Sequence, residues 1–207
     1  NYMRKHAITN YKQPFDKKRR DKMVTVDKHV GGPKHAGSHL LYSRFVTKAL
    51  KDMGYIDFDE PFISLIHQGV ILGPDGTRMS KTKGNIINPD KYIDIYGSDI
   101  LRLYLMFGFS YMEGGPWNED GLKSIARFVE RLERAILKSK NYTVNTVNAA
   151  AEKELDYALN YAIKTISSDL EHFSFNTAVA RLMELINAMY KADGCVSEKQ
   201  YFNTAVT

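Results

Sequence analysis

Gly31-Gly32-Pro33 separates two stretches that belong to different elements. Before it, Met23-Val24-Thr25-Val26-Asp27 is short and β-prone. After it, Leu40, Leu41, Phe45, Ala49 and Leu50 recur at helical spacing between Ala36 and Met53. The pattern predicts a strand, a glycine turn and a helix. Gly54 supplies the helix stop, and Leu65 to Leu72 reads as the next strand. Strand, helix, strand is the parallel βαβ unit, whose ligands gather at the carboxyl ends of the strands. The glycine-rich turns at 31–32 and 73–76 are therefore expected to open on one crevice.

Beyond residue 87 the spacing turns helical. Asn88-Pro89-Asp90 offers a capping side chain followed by proline in the first turn, and Gly97 is a fitting stop. Ser98-Asp99 restarts a helix through Leu101, Leu105 and Met106, and Gly108 and Gly114-Gly115-Pro116 break it. From Asn118 a long amphipathic helix follows, with Leu122, Ile125, Val129, Leu132 and Ile136 on one face and Glu130 placed four residues before Arg134. Leu155, Leu159, Ala162, Ile163 and Ile166 mark a further helix, and Val179, Leu182, Met183, Ile186 and Tyr190 another. Three such helices make a bundle, with Asn141 to Asn148 read as an exposed linker. The expected fold is α/β, a partial Rossmann unit followed by an α-helical bundle.

The 207 residues, 43% apolar and 12% aromatic, suffice for a buried core and one or two domains, which excludes a disordered tail. A net charge of +5 and a pI of about 9.1 favour polyanionic partners such as nucleic acid or nucleotides. Residues 1–22 concentrate Arg4, Lys5, Lys12, Lys17, Lys18, Arg19, Arg20 and Lys22 against Asp16 and Asp21. This segment reads as a solvated approach, with an RNA-facing patch as the alternative. Cys195 is the only cysteine, which excludes an internal disulfide and fits a reducing, cytoplasmic setting. No stretch reaches the roughly 20 apolar residues that span a bilayer, so no membrane association is expected. The start at Asn1 and the helical look of the segment before Thr207 lead us to expect a piece of a longer protein.

The sharpest chemical feature is Arg78-Met79-Ser80-Lys81-Thr82, opened by Gly73-Pro74-Asp75-Gly76 and followed by Lys83-Gly84-Asn85. Cationic side chains on a glycine-flanked loop are suited to a polyphosphate, and to charge that builds on pyrophosphate during attack at an α-phosphorus. Met79 reads as an apolar anchor that seats the loop. This pentapeptide resembles the KMSKS signature of class I aminoacyl-tRNA synthetases. Asp27 to Ala36, followed by His39-Leu40-Leu41-Tyr42-Ser43-Arg44-Phe45, resembles the leucyl-tRNA synthetases rather than their isoleucyl, valyl or methionyl relatives. Trp117-Asn118-Glu119-Asp120-Gly121 and Phe175-Asn176-Thr177-Ala178 resemble that family's turn into, and a segment within, its anticodon-binding bundle.

The resemblance implies the second half of a Rossmann catalytic domain over residues 1–87, connecting helices over 88–121 and the start of an anticodon-binding domain over 122–207. It implies ATP, with its Mg2+, leucine and tRNA(Leu) as ligands. The first half of the catalytic domain, with the HIGH motif, and the editing domain would lie outside these residues. By the same resemblance Lys81, Arg78 and Ser80 are the catalytic candidates, and Gly31, Gly32, His35, Lys81 and Thr82 the ATP or adenylate contacts. Lys34, beside Pro33, departs from the acidic residue usual in the family, where a carboxylate would accept hydrogen bonds from ribose or the substrate amine. His35 and His39 have a metal-ligand spacing, but no glutamate stands at 36 and no third ligand is evident, so no metal site is expected. The competing reading is a noncatalytic RNA- or partner-binding module made from the same parts.

Overall fold

The computed structural model describes Asp16, Lys18, Arg20 and residues 25–207. The basic-approach reading at 1–22 and the start of the first expected strand thus lie largely outside the described residues. The chain divides into two compact units, Asn1–Gly69 and Val70–Thr207.

In the first unit, strand β1 (Val26–Gly31) leads into a single turn, α1 (Lys34–Gly37), helix α2 (His39–Asp52) and strand β2 (Phe62–His67). β1 and β2 pair in parallel, with Val26 opposite Phe62 and Gly31 opposite His67. The predicted βαβ unit is present, with two changes. The first strand extends to Gly31, because the ladder to β2 continues that far. The expected helix from Ala36 breaks at Ser38 into α1 and α2. Gly54 adopts φ 75°, and Tyr55 N–H donates to the Leu50 carbonyl at 2.9 Å, closing α2. The approach to β2 is tied to α2 by Arg44, which donates to both Glu60 carboxylate oxygens at 2.7 and 2.8 Å, and by the Lys51–Asp59 pair at 3.3 Å.

In the second unit, β3 (Val70–Leu72) precedes a loop with a short 3-10 turn (Lys81–Lys83). Helices α3 (Pro89–Tyr96) and α4 (Ser98–Phe107), strand β4 (Gly114–Pro116) and helices α5 (Glu119–Ser139), α6 (Ala149–Glu171), α7 (Phe175–Lys191) and α8 (Glu198–Val206) follow. The single strand expected over Leu65 to Leu72 is two strands interrupted at Gln68-Gly69. They belong to separate two-stranded sheets, β1–β2 and β3–β4. β4 was not foreseen, since Gly-Gly-Pro reads as a helix breaker and carries no β-branched or aromatic signal. Its glycines are required by proximity. A Cβ on Gly114, at φ 76°, would lie 2.3 Å from the Val70 carbonyl oxygen, and one on Gly115 would lie 2.9 Å from Phe109 Cβ.

Helix starts follow the sequence closely. Asn88, Asn118 and Asn148 each accept from the backbone N–H two residues on, at 2.9–3.0 Å. Leu122, Ile125, Leu155, Val179, Ile186, Met189 and Val196 form the core between α5, α6 and α7, and α8 adds Tyr201. Each such aliphatic side chain contributes about 1.5–3 kcal/mol by leaving water. Trp117 is buried between Tyr92 and Tyr104, with ring centroids 4.9 and 5.0 Å away, while the Tyr104 hydroxyl accepts from Asn118 N–H at 2.9 Å. Residues 141–148 join α5 to α6 and are exposed as expected, apart from Tyr142. Tyr142 is buried, stacks on Tyr201 at 4.1 Å and accepts from Gly194 N–H at 2.6 Å, and Asn145 and Asn148 bond to the 194–195 backbone. Burial pushes the Tyr201 phenol up to about 12. The expected Glu130–Arg134 pair does not form among the described residues. It is Arg131 that crosses to α7, donating to Asn187 at 2.8 Å and lying over the Tyr190 ring.

Gly114→Ala should lower stability by about 1–3 kcal/mol or more, through the left-handed backbone and the clash with Val70. Urea unfolding followed by circular dichroism measures it, and Pro116→Ala, on the same strand without that approach, serves as the control.

Candidate functional site

The glycine turn of the first unit gathers histidines. His29 on β1 stacks with His39 of α2 at 5.3 Å and with Phe62 of β2 at 4.4 Å, and His39 meets His35 edge-on at 5.9 Å. Gly31 ends β1 and its carbonyl accepts from Gln68 N–H at 3.1 Å, while the Gly32 carbonyl accepts from His35 N–H at 3.0 Å. A Cβ on Gly31 would come within 3.3 Å of His29 Nε2, whereas one on Gly32 would meet open space. Gly31, Gly32 and His35 are thus brought together, with His35 exposed and Lys34 exposed in the adjoining helical turn. Burial, then the nearby His39, His35 and His67, hold His29 below its ordinary value of 6.5, which favours the neutral ring at neutral pH. Among the described residues, no group of three His, Cys, Asp or Glu is placed to hold a metal ion.

The loop of the second unit is built differently, from hydrogen bonds rather than rings. Leu72 bridges to Arg78 in antiparallel fashion, and Gly73 N–H donates to the Thr77 carbonyl at 2.8 Å, so 73–77 is a tight turn at the end of β3. Asp75 accepts from Thr77 N–H at 3.0 Å and from its hydroxyl at 2.8 Å. These bonds, backbone first, lower the Asp75 pKa. Ser80 N–H donates to Asn85 Oδ1 at 2.9 Å, closing a small ring around the 3-10 turn, and Gly84 at φ 69° lets the chain come back. The Ser80 and Thr82 hydroxyls are 2.8 Å apart.

This arrangement displays charge. Arg78, Lys81 and Lys83 are exposed on the loop, while Met79 packs partly buried against the core of its unit. Fixed backbone with free cationic side chains suits an anion whose own geometry is to be met, since little backbone entropy remains to be lost.

The family model described as class I tRNA synthetases (I, L, M and V) matches residues 32–114. The leucine–tRNA ligase of Caldanaerobacter subterraneus subsp. tengcongensis is 57% identical over 203 residues, covering 96% of this chain and 25% of that protein. That of Clostridium kluyveri is 56% identical over 195 residues, covering 92% and 24%. The chain belongs to the leucyl-tRNA synthetase family. It spans about a quarter of the length of these curated relatives. Among solved structures, the Agrobacterium radiobacter K84 agnB2 leucyl-tRNA synthetase, in a ternary complex with tRNA and LeuAMS, has a TM-score of 0.83 at 31% identity. The match covers 93% of this chain and 26% of that one. Mycobacterium tuberculosis methionyl-tRNA synthetase, bound by methionyl-adenylate, is alike in fold alone, with a TM-score of 0.60 at 16% identity. It covers 87% of this chain and 38% of that one.

Arg78, Ser80, Lys81 and Thr82 share one loop, and Gly31, Gly32 and His35 share one turn. Residue order assigned no site role to four residues that the structure places there: His29 and His67 beside the turn, and Asp75 and Asn85 within the loop. A signal for the loop pair existed, because Pro-Asp-Gly marks a turn in which the carboxylate bonds the backbone two residues on. His29 and His67 carried none, since the strand register alone decides what stands near α2.

The His29 effect has a definite sign. Its lowered folded pKa contributes stability fully above 6.5, and that contribution is lost as pH falls from 6.5 toward the folded value. A ring-proton NMR titration should give a His29 midpoint below 6.5, and His39→Ala should raise it.

Proposed function

We propose that this chain is the part of a cytoplasmic leucine–tRNA ligase that supplies the KMSKS-type loop and tRNA-facing helices. The complete enzyme activates leucine with ATP and then transfers it to tRNA(Leu). In this proposal residues 1–87 belong to the second half of the Rossmann catalytic domain, 88–121 connect, and 122–207 begin the anticodon-binding domain. The activity resides in the longer protein, which contributes the HIGH-bearing first half of the catalytic domain and the editing domain. The observation that carries the proposal is the loop, with three exposed cations on a hydrogen-bonded ring at the end of a parallel strand.

In adenylation the leucine carboxylate attacks the α-phosphorus and pyrophosphate leaves with growing negative charge. Lys81 meets that charge as a point cation, and Arg78, a planar fork where the family has lysine, spreads its contacts over two oxygens. Ser80 and Thr82 hydroxyls add hydrogen bonds to the same anion. Gly31 and Gly32 allow close backbone approach to the adenylate, and His35 contributes a neighbouring polar ring. Magnesium would accompany the nucleotide and offset its phosphate charge. In the second step the terminal ribose hydroxyl of tRNA attacks the mixed anhydride, and the helical part orients the tRNA.

One observation favours the noncatalytic binding module: Lys34 is exposed beside the glycine turn, where an ammonium repels the substrate amine. The test uses the Caldanaerobacter ligase with its matching segment replaced by this chain. Leucine-dependent ATP–pyrophosphate exchange is expected, and Lys81→Ala should reduce it about a hundredfold. A folded chimera that binds tRNA without exchange would favour the binding module, with Lys34→Glu as the variant that tests the departure.

A further inference from the structure

Asn85 is the most connected side chain in the cationic loop. It is half-buried, and its two amide N–H groups face four acceptors: Asp75 Oδ1 and Oδ2 at 3.2 and 3.1 Å, Thr77 Oγ1 at 3.1 Å and the Arg78 carbonyl at 3.3 Å. Its own oxygen accepts from Ser80 N–H at 2.9 Å. One amide thus holds the backbone on both sides of Met79, next to the two residues that carry and follow the loop's first charge. The space for this contact is made by Gly73, where a Cβ would stand 2.7 Å from Asp75 Oδ1 and 3.0 Å from Asn85 Nδ2.

We infer that Asn85, anchored on Asp75, is a positioning residue that sets the spacing of Arg78 and Lys81 for the pyrophosphate-forming step. The inference rests on the ligase reading above. Arg78 is fixed through its carbonyl. Lys81 is fixed because the Ser80–Asn85 bond closes the ring in which it opens the 3-10 turn, its carbonyl accepting from Gly84 N–H at 3.3 Å. The two cations are therefore presented on one rigid frame rather than on two independent segments, so they need not be ordered when charge develops on the leaving group. Asp75 is the one carboxylate in this loop, and its charge is consumed by the donors of Thr77 and Asn85 inside the frame. Arg78 and Lys81 keep theirs for an outside anion.

The chemistry of the pair allows a polarity-swap test in the same chimera. Asn85→Asp keeps the oxygen that Ser80 N–H uses but sets a second carboxylate against Asp75. Asp75→Asn combined with Asn85→Asp restores one donor facing one carboxylate, in reverse order, and keeps the acceptor for Ser80 N–H, but leaves the Arg78 carbonyl without its donor. Asn85→Asp should lower the kcat of pyrophosphate exchange roughly tenfold to a hundredfold while the KM for leucine holds, as expected for a displacement of catalytic groups. Transfer of leucine from preformed leucyl-adenylate to tRNA should stay unchanged, because no pyrophosphate leaves in that step. The swapped double variant should recover part of the exchange, since the Ser80 bond and the contact between positions 75 and 85 return while the bond to the Arg78 carbonyl does not. The inference is overturned if Asn85→Asp keeps full exchange, if it loses exchange and transfer alike, or if a folded double variant recovers nothing. The Lys81→Ala chimera separates the two readings. Loss there with full exchange in Asn85→Asp removes only the positioning role, and no effect of Lys81→Ala removes the ligase reading beneath it.

Discussion

The parallel ladder between β3 and β4 is the contact on which the second unit depends. Parallel strands cannot be joined by a hairpin, so this ladder brings Val70–Leu72 against Gly114–Pro116 across the intervening helices α3 and α4. Two things follow from its geometry. The root of the cationic loop is fixed, because Leu72 is its last strand residue. The start of α5 is fixed as well, because Trp117 N–H donates to the Leu72 carbonyl at 3.0 Å and Asn118 caps the helix. Trp117 then seals this junction between Tyr92 and Tyr104. The loop and the first bundle helix therefore share a single hydrogen-bonded origin, and a disturbance at Gly114 reaches both.

Around that origin, charge is handled by separation. The loop's carboxylate is turned inward, satisfied by Thr77 and Asn85, while Arg78, Lys81 and Lys83 face water. Exposed cations cost little while unpaired in water and keep their attraction for a polyanion. Several cations elsewhere among the described residues are paired. Arg44 engages Glu60, and that carboxyl is held down to about 2, chiefly by the guanidinium hydrogen bond and then by Lys48. Lys191 meets Glu154 at 2.6 Å. Three exposed cations gathered on one hydrogen-bonded loop are a better guide to the site than net charge.

The first unit shows a different economy. A parallel sheet is ordinarily covered on both faces. Among the described residues of this unit two strands carry α2 and the single turn α1, and Leu41, Tyr42 and Phe45 of α2 are 65%, 69% and 68% exposed. Apolar surface of that extent is usually met by further chain or by a partner. The curated relatives, of which this chain spans about a quarter, are long enough to provide the former.

Much of this was legible in residue order alone. The βαβ unit, the Asn88 cap and the amphipathic helices follow from local rules, in which a side chain interacts with residues two to four positions away. The site loop was legible for the same reason, since its cations, its Pro-Asp-Gly turn and its glycines are contiguous. What the tertiary structure decided are the contacts between residues far apart in sequence. Gly114–Pro116 is a strand only because Val70–Leu72 lies beside it, and Gln68-Gly69 divides what read as one strand because its two halves pair with different partners. Residues 141–148 are ordered because the buried Tyr142 finds the Gly194 turn and Tyr201. His29 lies beside His39 because of strand register. Local propensity encodes neither such pairings nor the exclusion of water that gives them their strength.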